Sequence, residues 1–282
     1  DLSMSTYKSE SELSQFNRLP VQQGVSVSDG LWDVLQISRR VWQQSDGAFD
    51  PSVGPIVDLW GFGPVVTDGR IPSQDEIDQA LTNSGFEYLL ISVENKLVGK
   101  KLPIRLDLSA VAKGYAVDKV ADLLEMLAIP DYLVEVGGEM RVNGVNPNGQ
   151  PWQIAIETPN ALGQVEQIIG LQHGAIATSG DYRNYFEKEG VRYSHTIDPR
   201  TGRPITHSLA SVTVVTERCS DADAWATAFL VMGDKAALEL ANERSLAVYM
   251  IVRRNNQFEA VYSDAFAPYL TDSHTTQSQP AQ

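Results

Sequence analysis

Asp223 and Thr227 stand four residues apart in the run Ser220-Asp221-Ala222-Asp223-Ala224-Trp225-Ala226-Thr227-Ala228, directly after a strand-like segment at 211–216. At that spacing a helix stacks them one turn apart on one face. One carboxylate and one hydroxyl make a small, hard, oxygen-only patch, suited to Mg²⁺ or Ca²⁺ and not to a soft metal. The competing reading is local: Ser220 or Asp221 caps the helix and the others are ordinary first-turn residues. A second candidate is Tyr193 through Pro204. Asp198-Pro199-Arg200-Thr201 fits a type I turn with Gly202 just beyond. The turn does not account for His195 at the end of a strand, or for Arg200 and Arg203 in so acidic a chain, and His195 is a candidate general acid or base. The third is Asp107 through Asp118. There a strand delivers Asp107 to a helix start whose N–H groups, with Lys113, could hold an anion; alternatively Asp107 is only a cap.

These residues need elements to hold them. Leu31, Val34, Leu35, Ser38, Val41 and Trp42 follow helical spacing, with Ser28 as cap, and predict a helix over 28–45. Ser73 and Glu76 form a capping box for a helix near 74–83. Residues 88–93 and 96–98 predict a hairpin, and 104–109 a strand running into a helix of 113–128. Strands are expected at 133–136, 152–157, 165–171, 174–178, 211–216, 246–251 and 258–262, and helices at 221–232 and 234–243. Gly137-Gly138 reads as a tight turn that also lets a ligand approach the backbone. Residues 46–64, dense in Gly, Pro and aromatics, read as a shaped loop. The mixture predicts an α+β fold of largely antiparallel sheets with flanking helices. It forms one domain over 1–270, as a single unit or two intertwined lobes, with a disordered polar tail at 271–282.

Composition narrows the function. Lys plus Arg number 22 against 36 Asp plus Glu, a net charge of −14, which argues against nucleic acid as a partner and requires local help for any anionic ligand. No apolar run is long enough to span a membrane. The single cysteine, Cys219, excludes an internal disulfide or a Cys-rich metal site and reads as a small buried residue. The start at Asp1 reads as processed or trimmed. A P-loop, a dinucleotide fingerprint, a Gly-x-Ser-x-Gly elbow and a His-Glu-x-x-His motif are all missing; Gly61-Phe62-Gly63 lacks the third glycine. His173, His207 and His274 show no ligand spacing.

Seven segments in order resemble the ApbE family of FAD:protein FMN transferases: Thr6–Ser14 with Phe16-Asn17, Asp46–Asp50, Asp107–Asp118, Glu135–Glu139, Ala177–Gly180, Ser194–Pro204 and Ser220–Thr227. The resemblance implies an ApbE-like, T-fold-like architecture. It also implies Mg²⁺-dependent transfer of FMN from FAD to a threonine or serine hydroxyl of a target protein, with release of AMP. By similarity, Asp223, Thr227 and the Ala110 carbonyl hold Mg²⁺. Asp107, Lys113, Tyr7, Ala48, Phe49, Asp50 and Ile197 contact FAD. His195 deprotonates the incoming hydroxyl or stabilises the transition state, with Asp198 or Asp50 as the alternative base. The implied acceptor is a flavoprotein subunit of a membrane redox complex of the Rnf/Nqr kind. The implied location is the periplasm, with an N-terminal lipid anchor outside this chain. Two other readings are hydrolysis of FAD to FMN and AMP, and flavin binding without catalysis.

Overall fold

The computed structural model describes residues 3–63, 70–159, 165–181, 185–188, 191–255 and 257–270. The expected tail at 271–282 lies outside the described residues. A six-stranded sheet runs through the centre. From edge to edge its strands are Gln257–Tyr262, Ala247–Arg254, Leu209–Thr216, His173–Gly180, Glu139–Asn143 and Tyr132–Val136. Every neighbouring pair is antiparallel. Both faces of the central strands are covered, which explains the nearly unbroken apolar run 209–216. Successive side chains of a strand point to opposite faces. Val212, Val214, Val248 and Met250 accordingly enter the main core, while Val215, Tyr249 and Ile251 join a second layer with Ile154, Ile169 and Phe266.

The main core is closed by helices α1 (Glu12–Arg18), α2 (Asp29–Gln44), α5 (Ser109–Met126), α6 (Cys219–Met232) and α7 (Asp234–Glu243). In α2 the apolar stripe Leu31, Val34, Leu35 and Val41 is buried, and Ser28 Oγ accepts from the Leu31 N–H at 3.2 Å. A smaller body consists of α3 (Gly54–Leu59), α4 (Gln74–Leu81) and the residues near 193–204. It packs around Ile56, Trp60, Ile77 and Ile197, with the Trp60 indole N–H donating to the Gly202 carbonyl at 2.8 Å. Ser73 and Glu76 make the predicted capping box of α4.

Three expectations need correction. No strand forms over 104–109. That segment is extended but makes a single bridge, Val53 to Arg105, and is tied by the Asp107 N–H donating to Pro51 O at 2.7 Å. α5 then opens at Ser109, a full turn before the expected 113, because Asp107 Oδ1 accepts from the Ser109 N–H at 2.9 Å and stabilises the turn there. Within the segment read as loop, Gly54–Leu59 is helical, started by Pro55 in its first turn, where a missing N–H costs nothing.

The third correction concerns α6. Neither Ser220 nor Asp221 caps it. The helix opens at Cys219, and its flanking residue Arg218 offers no side-chain cap. The cap comes from α5: Asp118 accepts from the Cys219 and Ser220 N–H groups, each at 2.9 Å, and from Ser220 Oγ at 2.7 Å. Asp221 pairs with Arg40.

α5 and α6 touch backbone to backbone at Gly114. A methyl group there would lie 2.6 Å from the Cys219 carbonyl carbon and 2.8 Å from Ser220 Cα. Both contacts are to main chain and cannot swing aside. Gly114→Ala should therefore destabilise the fold by about 1–3 kcal/mol, the usual cost of overpacking. Urea denaturation reads this directly, and an unchanged midpoint would contradict the close approach.

Candidate functional site

A cleft of about 470 Å³ lies where the start of α5, the start of α6 and the end of the strand His173–Gly180 meet the smaller body. It borders all eleven residues expected at the site: Tyr7, Ala48, Phe49, Asp50, Asp107, Ala110, Lys113, His195, Ile197, Asp223 and Thr227. Ala110, Asp223 and Thr227 line it from two facing helix stripes. Ala110, Gly114 and Asp118 recur every four residues on α5, and Cys219, Asp223 and Thr227 do so on α6. The Gly114 N–H, whose ordinary helical acceptor is the Ala110 carbonyl, donates to Asp223 Oδ2 at 2.9 Å. That bond ties the α6 carboxylate to the α5 backbone one turn from the Ala110 carbonyl.

Asp223 is 2% exposed. Burial pushes its carboxyl up to about 7; Lys113 pulls it down, and Glu139 pushes it further up. A buried carboxylate that is costly to ionise is one that a cation would stabilise. Asp223 Oδ1 has no hydrogen-bond donor among the described residues. Thr227 Oγ1 lies 3.1 Å from Ser179 Oγ, so two hydroxyls sit beside the carboxylate. Among the described residues no group of three His, Cys, Asp or Glu could hold a metal. Any cation site here must use mixed oxygen donors, and a carboxylate with a hydroxyl and a backbone carbonyl fits Mg²⁺ in chemistry.

The other predicted residues are placed with differing clarity. Lys113 borders the cleft but is paired with Glu139, whose side chain is 3% exposed. An ammonium has three donors, so this pairing leaves two for a ligand. Asp107, one residue before the Leu108 that flanks α5, accepts from the Ser109 N–H and also lines the cleft. Ala48 and Phe49 are 1% and 3% exposed, and Phe49 belongs to the main core. They can meet a ligand only along a narrow strip. Ile197 is likewise packed into the smaller core, whereas Tyr7, 75% exposed, stands at the rim.

His195 also lines the cleft, with the Phe62 ring edge-on at 6.3 Å. Its two alternatives as base are engaged elsewhere. Arg200 grips Asp198 through Nε and an Nη, each at 2.9 Å. Asp50 Oδ1 accepts from Ser52 N at 2.7 Å and Oδ2 from Phe86 N at 3.1 Å. The two arginines expected beside His195 are not directed at the cleft: Arg200 closes its own turn, and Arg203 reaches Gln74 on α4. Sequence reasoning assigned no role to Ser179 or Glu139. The signals present were the hydroxyl pair Thr178-Ser179 near one strand end and Glu139 just after the Gly137-Gly138 turn.

Residues 1–250 match the ApbE family. The chain is 43% identical to the FAD:protein FMN transferase of Vibrio cholerae over 270 residues, 95% of this chain and 80% of the relative. It is 44% identical to that of Haemophilus influenzae over 269 residues, covering 93% and 78%. Among solved structures, the apo form of the Pseudomonas stutzeri flavinyl transferase ApbE superimposes with a TM-score of 0.89 at 39% identity, covering 96% of this chain and 84% of that one.

The buried carboxyl makes stability depend on pH. Its proton is held up to about pH 7 in the fold, against 3.8 for a free side chain, so the folded state loses stability as pH rises through that window. Without divalent cation, Asp223→Asn should resist urea better than the parent at pH 8 and match it near pH 3.5. Lower stability of the variant at pH 8 would contradict the assigned burial cost.

Proposed function

The chain belongs to the ApbE family, and from that premise we propose how it works as an FAD:protein FMN transferase: with Mg²⁺, and onto a threonine or serine hydroxyl. The observation that carries this reading is the convergence of Ala110, Asp223 and Thr227, from two different helices, on one cleft that His195 also borders. Mg²⁺ bound there would neutralise charge on the pyrophosphate as it is split.

The protein's own groups supply the rest. Lys113 and the N-terminal turn of α5 hold the dinucleotide's phosphates against the floor. His195 accepts the proton of the incoming hydroxyl. The hydroxyl oxygen bonds to the phosphorus of the FMN half, the bond from that phosphorus to the bridging oxygen breaks, and AMP departs with the bridging oxygen. The smaller body, with Phe62 and Ile197, covers this end of the cleft and limits water, which would otherwise compete as acceptor. The acceptor in this reading is a flavoprotein subunit of an Rnf- or Nqr-like membrane complex, met at the periplasmic face by a lipid-anchored enzyme. Family resemblance supports that setting. Among the described residues no helix is long and apolar enough to cross a membrane.

Incubation with FAD, Mg²⁺ and an acceptor protein, followed by in-gel flavin fluorescence, tests the scheme. Asp223→Ala and Thr227→Ala should leave the acceptor unlabelled, and a chelator should do the same to the parent. His195→Ala should slow labelling by about 10²–10⁴-fold. Full labelling by these variants would refute the assignments. AMP release that is equally fast without acceptor would point to FAD hydrolysis instead.

A further inference from the structure

Asp118 has no place in the chemistry above, yet it is among the most completely buried charged residues in the protein, at 0% exposure. It lies on the α5 stripe two turns beyond Ala110 and one beyond Gly114. Its carboxylate takes the first two N–H groups of α6, those of Cys219 and Ser220, and the Ser220 hydroxyl. Those N–H groups are among the donors a helix start leaves without intrahelical partners. Arg141 approaches Asp118 at 3.3 Å and Arg218 at 3.4 Å, supplying the counter-charge that a buried carboxylate requires. Both arginines are tied in turn to Asp122, and Arg141 to Glu125. Burial opposes ionisation of Asp122, but hydrogen bonds from Arg218 and Arg141 outweigh it and hold its carboxyl below the usual range.

We propose that Asp118 is a positioning residue for the cation anchor: by capping α6 from α5 it fixes the register of the two helices, and with it the placement of Asp223 and Thr227 against Ala110. The proposal rests on the reading that this trio holds a divalent cation. The geometry favours a registering role over generic stabilisation. Asp118 spends its lone pairs on Cys219 and Ser220, one turn or less before Asp223, and the Gly114 N–H between them bonds Asp223 itself. A slip of α6 along α5 would break all four bonds together, and with Asp118 removed the direct hydrogen bonds left between the two helix starts are Gly114 N–H to Asp223 and the Arg218 pair to Asp122.

Mn²⁺ binding to this chain, followed by electron paramagnetic resonance and by the rise in thermal midpoint on adding metal, tests this without turnover. Asp118→Ala, and the milder Asp118→Asn and Ser220→Ala, should weaken Mn²⁺ binding in graded fashion, reaching about tenfold or more for the alanine, as when partners that orient metal ligands are removed. In the transfer assay the Mg²⁺ concentration for half activity should rise by a similar factor, and excess Mg²⁺ should restore kcat. Phe266→Leu, in the core layer on the opposite face of the sheet, should lower the thermal midpoint but leave Mn²⁺ affinity intact. Parental Mn²⁺ affinity in folded Asp118→Asn and Ser220→Ala would overturn the proposal. So would equal weakening by Phe266→Leu. Asp223→Ala separates the two layers of argument: if it still binds Mn²⁺ like the parent, the cation reading itself is wrong.

Discussion

The site depends on how closely α5 and α6 approach at Gly114. Absence of a side chain there brings the Cys219 carbonyl and Ser220 Cα against the α5 backbone. Only at that separation can the Gly114 N–H reach Asp223, and only then can Asp118 cap a helix not its own. The Asp118 cap, Gly114 and the Asp223 carboxylate thus form one continuous seam. The six-stranded sheet acts as its base, since α6 is buried nearly all round against the strands and α2. The seam is rigid because every contact in it is backbone or a short side chain with little rotamer freedom.

Electrostatics give the seam its purpose. A chain of net charge −14 must hold a ligand with a pyrophosphate. Among the described residues the cleft offers little free positive charge for it: Lys113 is already shared with Glu139, and the arginines of the 198–204 turn are directed elsewhere. Asp223, with Glu139 nearby, would only add repulsion to an anionic ligand unless a divalent cation stood between them. The carboxyl pushed up to about 7 reflects the same situation. Burial makes this group prefer its proton, and a cation bound there would replace that proton with greater charge.

Much of this was legible in the residues. The four-residue spacing of Asp223 and Thr227, the Ser28 cap and the Ser73–Glu76 box depend on neighbours within a turn, and local geometry fixes them. The strands around 209–216 and 247–262 were readable because apolar runs of strand length have few other uses. The cap of α6 was not legible, since its carboxylate lies a hundred residues upstream and Ser220 and Asp221 offered a local alternative that the fold overrode. Helix α3 was hidden because Gly and Pro ordinarily interrupt helices, although Pro in the first turn begins one. The two arginines near His195, which the turn alone did not account for, have protein partners: Asp198, two residues away, for Arg200, and Gln74 on α4, distant in sequence, for Arg203.

The central claim is that Asp223 and Thr227 hold a divalent cation against the pyrophosphate of FAD. Electron–nuclear double resonance on the complex of the protein with Mn²⁺ and FAD tests it most directly, by looking for coupling of the metal to ³¹P. The account predicts a ³¹P coupling of directly bound phosphate in the parent, lost in Asp223→Ala. A complex that holds both Mn²⁺ and FAD yet shows no such coupling, or keeps it unchanged in Asp223→Ala, would contradict it.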